Sequence, residues 1–470
     1  MKRVVCGLTM GAALFAAGGA GAQALRPDQV AFHSLYKELV ETNTTLSAGS
    51  CTEAAARMQA HLKAAGFPDA DLHPFAAPGH PKEGGLVAVL PGTDPKARPL
   101  MLLAHIDVVE AKRADWERDP FTLVEEGGYF YARGSSDDKA MAAVWVDTLS
   151  RLKAQNVRLK RTVKMALTCG EETEGAFNGA GWLATHEKPL IDAAFALNEG
   201  GGGQLDTSGH RVTLSVEAAE KTPQDYDLVV TNPGGHSSRP VKDNAIYRLT
   251  AALMRVSQYD FPVQFDDANR AYFTAMAKIK GGETGAAITA LLNDPHDAKA
   301  LAIVAQDPSF NAMLRTTCVA TMLNAGHATN ALPQRAQANV NCRIFPGVST
   351  EAVRQTLEQV AADPAVSISM PNHRGPLAKP TPLTPEVMDP IRTVSAKYYP
   401  GVPVVPTLQA GATDGVFLGD VGIPTYGVSG FFYDPDLGHI HGLNERIGVK
   451  TLYEGRDFLF DLVKIYGAEG

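Results

Sequence analysis

Three short apolar runs, Leu100–Ala104, Thr162–Thr168 and Ala193–Leu197, each stop just short of a histidine or an acid. No other feature constrains the fold as much. Runs of this length, apolar throughout rather than alternating, read as strands buried on both faces. Between the first two, Lys139 to Gln155 carries the period of a long amphipathic helix. Strands that alternate with helices imply an α/β layer around a parallel or mixed sheet. Such sheets gather their functional groups at the carboxyl ends of the strands. The polar residues just beyond each run are therefore candidates for one shared site.

The rest of the chain supports a two-layer plan. Thr52 to Ala65 has helical periodicity, with Thr52 as N-cap and Gly66 as stop, and Gly85–Leu90 reads as a further buried strand. The rhythm changes near residue 218. Tyr226–Thr231 (strand), Asn244–Ser257 (helix), Thr317–Leu323 and Ala336–Phe345 (strands), Thr350–Ala362 (helix) and Val366–Met370 (strand) follow in order. That is the β-α-β-β-α-β pattern of a ferredoxin-like unit. A largely helical insertion, Phe261–Leu314, separates its first helix from its second strand. The proline-rich stretch Pro371–Pro385 reads as a return linker, after which Glu386–Tyr398 resumes the α/β rhythm. The expected fold is α/β, with a central mixed sheet interrupted by the inserted ferredoxin-like unit. The expected divisions are a catalytic part over 25–217, an inserted domain over 218–372 and a second catalytic part over 373–470.

The formal charge is −8 and no basic run occurs, which argues against nucleic acid as a partner. Lys2 and Arg3, an apolar stretch and Ala22-Gln23-Ala24 make residues 1–24 a signal peptide. Once it is cleaved, no segment is long and apolar enough to span a bilayer, so an exported, periplasmic protein is expected. Cys51, Cys169, Cys318 and Cys342 show no CxxC spacing, which argues against a thiolate zinc site. Export permits disulfides, and Cys318 and Cys342 fall in strands of one region. A disulfide between them and two buried free thiols are both open readings.

The chemistry sits in scattered segments. His105-Ile106-Asp107 ends the first run, and Asp107 is expected to accept a hydrogen bond from the His105 ring. Arg133-Gly134-Ser135-Ser136-Asp137-Asp138 leads into the long helix, where simple capping competes with metal binding. Glu171-Glu172 follows the second run. Adjacent acids at the mouth of a buried strand repel each other unless a cation intervenes. Glu199 follows the third run, and His439 and His441 lie near the C-terminus. Carboxylates with two imidazoles suit Zn²⁺, with Co²⁺ or Mn²⁺ as substitutes. A carboxylate shared between two ions suits hydrolysis.

In these motifs and their order the chain resembles the dinuclear zinc exopeptidases and deacylases, a family that includes carboxypeptidase G, carboxypeptidase S, aminoacylase, acetylornithine deacetylase and succinyl-diaminopimelate desuccinylase. The resemblance covers nearly the whole chain beyond the signal segment, and implies a zinc-exopeptidase-like catalytic domain with an inserted lid and dimerisation domain. It implies two Zn²⁺ held by His105, Asp137, Glu172, Glu199 and His441, with Asp137 bridging and His439 competing for the last position. Glu171 would be the general base and Asp107 the partner of His105, and the Asp137–Asp138 peptide would be cis. His236, in Gly234-Gly235-His236-Ser237-Ser238, would polarise the scissile carbonyl, often across a homodimer. Asn330, Arg343, Gly411 and Thr413 would contact the substrate, a peptide or N-acyl amino acid with a free carboxylate. Gly170 and Ala140 depart from the family pattern, and Leu197-Asn198-Glu199-Gly200-Gly201 resembles the carboxypeptidase S-like branch. The expected function is a secreted metallopeptidase of carboxypeptidase type. N-acyl amino acid deacylase and dinuclear zinc aminopeptidase are the alternatives, and a non-catalytic binding protein of the same fold is the rival from another class.

Overall fold

In the computed structural model the described residues are 25–173, 177–371 and 375–468. Residues 1–24, expected to be a signal peptide, lie outside them.

A ten-stranded sheet forms the larger layer. At its centre Val163–Thr168, Leu100–His105 and Phe195–Asn198 lie side by side and parallel. Thr425–Gly427 continues the parallel set next to Phe195–Asn198, while Gly85–Leu90 runs antiparallel to Val163–Thr168. The sheet is therefore mixed. Strand Leu100–His105 is buried throughout because its residues alternate between two apolar layers. Leu100, Leu102 and Ala104 face the main core, which includes Trp145 of helix Lys139–Ala154. Met101 and Leu103 face the opposite core, with Leu183 of helix Gly179–His186. Trp145 also donates its indole N–H to the Leu103 carbonyl at 3.0 Å, which satisfies the polar atom it buries.

The first buried helix starts at Cys51 rather than after Thr52. Ser50 is its N-cap and accepts the Glu53 N–H. The Thr52 hydroxyl is used elsewhere, donating to the Pro81 carbonyl and accepting the Gly84 N–H. Gly66 ends the segment with φ of 95°, a conformation that favours glycine.

Arg211–Glu220 belongs to the large sheet and Thr222–Thr231 to a four-stranded one, so the chain crosses between sheets at Lys221. The small sheet has the order Thr317–Ala325, Arg335–Ile344, Thr222–Thr231, Ser367–Ser369. This is the antiparallel ferredoxin-like arrangement expected from the pattern. Helices Ala245–Ser257 and Thr350–Ala361 cover one face with a separate core around Tyr226, Leu249 and Leu357. The inserted helices run Asp267–Lys280, Gly282–Asn293, Ala298–Val304 and Pro308–Leu314. The first packs on Val404–Gln409 and Arg211–Glu220, so the insertion lies against the large sheet as well as joining the small one.

Among the described residues two disulfides are present. Cys318–Cys342 joins facing residues of neighbouring strands, which resolves the open reading in favour of a bond. Cys51–Cys169, which sequence spacing did not suggest, ties the start of helix Cys51–Ala64 to the end of strand Val163–Thr168. No helix among the described residues is long and apolar enough to cross a membrane.

Candidate metal centre

Because the three central strands are parallel and adjacent, their carboxyl ends open on one edge of the sheet. His105 is the last residue of its strand, Glu199 immediately follows the next, and Glu171 and Glu172 come two and three residues beyond the Cys169 disulfide half. Helix Lys139–Ala154 begins at the same edge and brings Asp137 to it. Asp138 stands at the N-cap but makes no side-chain capping bond, so capping does not account for this acidic pair. The Asp137–Asp138 peptide is cis.

The geometry centres on Asp137. Its Oδ1 lies 3.1 Å from His105 Nε2, and its Oδ2 lies 3.1 Å from His441 Nε2. Glu199 Oε1 is 3.7 Å from His105 Nε2, and Glu172 Oε1 is 3.0 Å from His441 Nε2. Each oxygen of one carboxylate thus faces its own imidazole, and each imidazole has its own glutamate. Ligand atoms bound tetrahedrally at about 2.0–2.1 Å from zinc lie about 3.3 Å apart. The two triads, His105–Asp137–Glu199 and Asp137–Glu172–His441, have separations close to that value and fit a cation in each. Glu171 joins His105 and Glu172 in a third grouping, and among the described residues no hydrogen bond reaches its carboxylate. Cys51 and Cys169 also lie near Asp107, but they are bonded to each other and offer no thiolate.

Asp107 is placed differently from the expectation. The strand stops at His105, so the two residues do not share a strand face. His105 Nδ1 lies 3.1 Å from the Asp107 backbone carbonyl and 3.6 Å from its carboxylate. The carboxylate is engaged by the backbone N–H groups of Glu171 and Glu172, at 3.3 and 3.0 Å. Asp107 therefore holds the glutamate turn and, through its carbonyl, the His105 ring. Gly170 opens that turn with φ of 92°, and a β-carbon there would stand 1.8 Å from the Phe177 carbonyl oxygen. The glycine that departs from the family pattern is required by the local backbone.

Charge is concentrated here. Burial is the largest influence on Glu171, Glu172, Glu199 and Asp138 and raises all of these carboxyls, Glu199 to about 7. Burial also opposes the charged form of His105. The charge of Glu199 and the nearby carboxylates of Asp107 and Asp137 outweigh it and hold the imidazole well above its ordinary value. Hydrogen bonds with Asp137 and Glu172 raise His441 to about 10. Burial pulls Asp137 upward, but the two imidazoles prevail and keep its carboxyl below the usual range. This arrangement suits bound cations, which would replace the protons and stabilise every carboxylate together.

The other candidates stand apart from the cluster. His439 turns away, with Nδ1 at 3.2 Å from the Leu443 carbonyl and Nε2 at 3.2 Å from Asp436. His236 is exposed on a separate two-stranded ribbon, paired with Ala331, and its Nδ1 accepts the Ser238 N–H. Asn330 sits beside it, its carbonyl accepting the Ser237 N–H. Arg343, half-buried, lies opposite Pro223, just past the crossing between sheets. The Gly411 carbonyl accepts the Lys221 N–H at that crossing. Thr413 is one step from the cluster, accepting from Asn198 Nδ2 at 3.1 Å and donating its backbone N–H to Glu220 at 2.7 Å.

Sequence reasoning assigns no role to Arg133, Asp414 or Glu445, yet all three brace the site. Asp414 is buried and accepts from Thr168 Oγ1 and Asn178 Nδ2, both at 2.7 Å. Arg133 and Glu445 form a buried ion pair at 2.7 Å. Arg133 and Glu445 each stand four residues from a candidate ligand, Asp137 and His441, but no residue pattern marks them as supports.

The fold and site define a mixed α/β hydrolase whose strand ends collect a metal-ligand cluster. Residues 101–465 match the model of peptidase family M20/M25/M40, and the chain belongs to that family. It is therefore an amide-bond hydrolase. It is 29% identical over 392 residues to the mouse N-fatty-acyl-amino acid synthase/hydrolase PM20D1, covering 79% of this chain and 75% of the relative. It is 27% identical over 392 residues to the probable carboxypeptidase S-like 2 of Dictyostelium discoideum, covering 79% and 72%. The fold matches the M20 family metallo-carboxypeptidase Sso-CP2 of Sulfolobus solfataricus with a TM-score of 0.70, at 20% identity, over 94% of this chain and 100% of that one.

Proposed function

We propose that this chain is a secreted dinuclear zinc hydrolase that cleaves a peptide or N-acyl amide bond next to a free carboxylate. The observation that carries the proposal is the division of Asp137 between two imidazoles at 3.1 Å each, every imidazole with its own glutamate. The relatives are named for N-fatty-acyl amino acids and for carboxypeptidase S, and both names denote an acylated or peptidyl amino acid. Two disulfides favour an oxidising compartment, in line with export to a periplasm. In this reading 25–217 and 373–470 form the catalytic domain and 218–372 the lid.

His105, Asp137, Glu172, Glu199 and His441 would hold two Zn²⁺, which when bound supply Lewis-acid activation of water and of the scissile carbonyl. Glu171, free of other hydrogen bonds among the described residues, takes the proton from the attacking water and returns it to the leaving nitrogen. Asp107 keeps Glu171 and Glu172 in place through their backbone N–H groups. Arg343 and Asn330 bind the substrate carboxylate, and Gly411 and Thr413 contact the substrate elsewhere.

The bonds of His236 among the described residues are to its own ribbon and Ser238 rather than to the cluster, so in this reading a second copy completes the site. Edge strand Thr317–Ala325 offers an unpaired side, with Val319, Met322 and Leu323 exposed. Helix Ala245–Ser257, packed beside it, exposes Tyr247 and Met254. Pairing of two such edges buries these side chains, and His236 of the partner subunit then polarises the carbonyl.

The test is hydrolysis of N-acyl amino acids and dipeptides, with carboxyl-blocked analogues as controls, by the zinc-loaded protein. Glu171→Gln should lower kcat by about 100-fold or more with zinc content unchanged, the scale expected for loss of a general base. Mixing inactive Glu171→Gln with inactive His236→Ala should restore activity through mixed dimers. Equal cleavage of blocked and free carboxylates would refute the substrate class. Loss of zinc in Glu171→Gln would refute its role as base.

A further inference from the structure

Beneath the cluster, two loops far apart in sequence are fastened to each other by one buried ion pair. Glu445 is wholly buried. Its Oε1 accepts the backbone N–H groups of Ser136 and Asp137, at 2.9 and 3.1 Å. Its Oε2 accepts the Gly134 N–H at 3.1 Å and Arg133 Nη1 at 2.7 Å. Arg133 then donates from Nη2 to the carbonyls of Gly442 at 2.9 Å and His441 at 3.4 Å. Its guanidinium lies over the Trp116 ring, 5.1 Å from the centroid. Every oxygen of Glu445 is satisfied, as a buried carboxylate requires.

This pair matters because of where the candidate ligands sit. His105 ends a strand, Glu199 follows one directly, and Glu172 is fixed by its N–H to Asp107. Asp137 and His441 lie in loops, and their backbone support comes from the Arg133–Glu445 pair itself, through the Asp137 N–H and the His441 carbonyl. The His441 loop is also strained. Leu437, His439, His441 and Asn444 all have φ between 55° and 61°, where residues other than glycine are disfavoured. Such backbone persists only where its surroundings over-determine it. The Arg133–Glu445 pair supplies that constraint, because the carboxylate comes from the His441 loop and the guanidinium from the Asp137 loop.

We propose that Arg133 and Glu445 are positioning residues that set the Asp137 carboxylate against the His441 imidazole. The cation position made by Asp137, Glu172 and His441, two of whose ligands the pair holds, then depends on it, whereas that made by His105, Asp137 and Glu199 keeps two ligands placed by strands and largely withstands its loss. The inference rests on the dinuclear reading given above. It assigns Glu445, four residues beyond His441, a task separate from metal binding and from proton transfer.

The test uses the full chain, stripped of metal and titrated with Zn²⁺ against a chromogenic chelator. Arg133→Lys keeps the charge opposite Glu445 but has no planar fork to reach both loops. The double variant Arg133→Met/Glu445→Gln removes both charges, so no lone buried charge is left to unfold the protein. Wild type should take up two equivalents. Arg133→Lys should bind the second equivalent at least about tenfold more weakly, and the double variant should keep one equivalent only. In both, affinity for the first should stay within a few-fold of wild type. A wild type that binds one equivalent or none defeats the dinuclear reading itself. Two equivalents of unchanged affinity in the variants would overturn the positioning role. So would parallel loss of both equivalents, which is what a merely structural role predicts.

Discussion

Replacing Cys51 and Cys169 together by alanine should cost more stability than any other pair of small substitutions near the site, while leaving the chemistry nearly intact. The bond closes a segment of 118 residues. In the chain-entropy description a loop of that length is worth about 4.9 kcal/mol at 25 °C. The Cys318–Cys342 bond closes 24 residues, for which the same relation gives about 3.5 kcal/mol. The Cys51→Ala/Cys169→Ala variant should therefore be the less stable by about 1.4 kcal/mol. It should melt lower than wild type by on the order of 10 °C. Tryptophan fluorescence follows the relevant unit, because Trp145 is buried in the core of the large sheet. Activity per folded molecule should stay within a few-fold. The glutamate turn keeps its bonds to Asp107, and the Cys169 carbonyl still accepts the Gly179 N–H at 2.7 Å. Two results would refute the reasoning. One is a larger loss on removing Cys318–Cys342. The other is a collapse of kcat at nearly unchanged stability, which would mean that the bond acts on the native turn rather than on the unfolded chain.

Gly170→Ala should lower kcat/KM by about 100-fold or more, a barrier increase of about 2.7 kcal/mol, because its β-carbon would meet the Phe177 carbonyl and displace both glutamates. Gly209→Ala, also at positive φ but with open space around it, should cost about 1 kcal/mol of stability and no activity, and equal effects from the two would defeat the steric argument. Lys221 is buried at the crossing between sheets, and burial, with Arg343 nearby, pushes its amine down to about 7. The unfolded chain then binds the extra proton between about pH 7 and 10.5, so stability should rise with pH across that window, by about 2 kcal/mol from pH 7 to 9. Lys221→Met should flatten that rise in denaturant titrations at the two pH values, and an unchanged slope would show that Lys221 titrates normally.

The catalytic layer was legible in the sequence wherever one interaction dominates. A strand buried on both faces must be apolar throughout, so Leu100–His105, Val163–Thr168 and Phe195–Asn198 announce themselves, and their parallel order delivers the acids to one edge. The ferredoxin-like order of the small layer was readable for a different reason, the succession of strand and helix signals, because its sheet is covered by helices on one face only. Legibility failed where two groups compete for one partner. Thr52 is a good capping residue, yet its hydroxyl is consumed by residues 81–84 and Ser50 takes the cap. Asp107 is a good partner for an imidazole, yet two backbone N–H groups claim its carboxylate. Cys51–Cys169 could not be seen because nothing local relates residues separated by 118 positions.

The candidate ligands and the groups that hold them obey different rules, and this explains why the first were found and the second were not. A ligand must be a histidine or an acid at an open edge, and that restricts its type and its place relative to a strand. A supporting group needs only to meet a particular backbone atom. Glu445 finds the amides of Gly134, Ser136 and Asp137, and Arg133 finds the carbonyls of His441 and Gly442. Neither target depends on the side chain it belongs to, so no residue pattern marks it. Such supports become visible only when the two loops are seen to touch. In this chain that contact also brings the two halves of the large layer together, because the loop of Asp137 precedes the small layer and the loop of His441 follows it. On the proposed dinuclear reading, metal affinity is tied to the docking of these two segments, and a substitution that loosens Arg133 from Glu445 should be felt first as a lost cation rather than as an unfolded sheet.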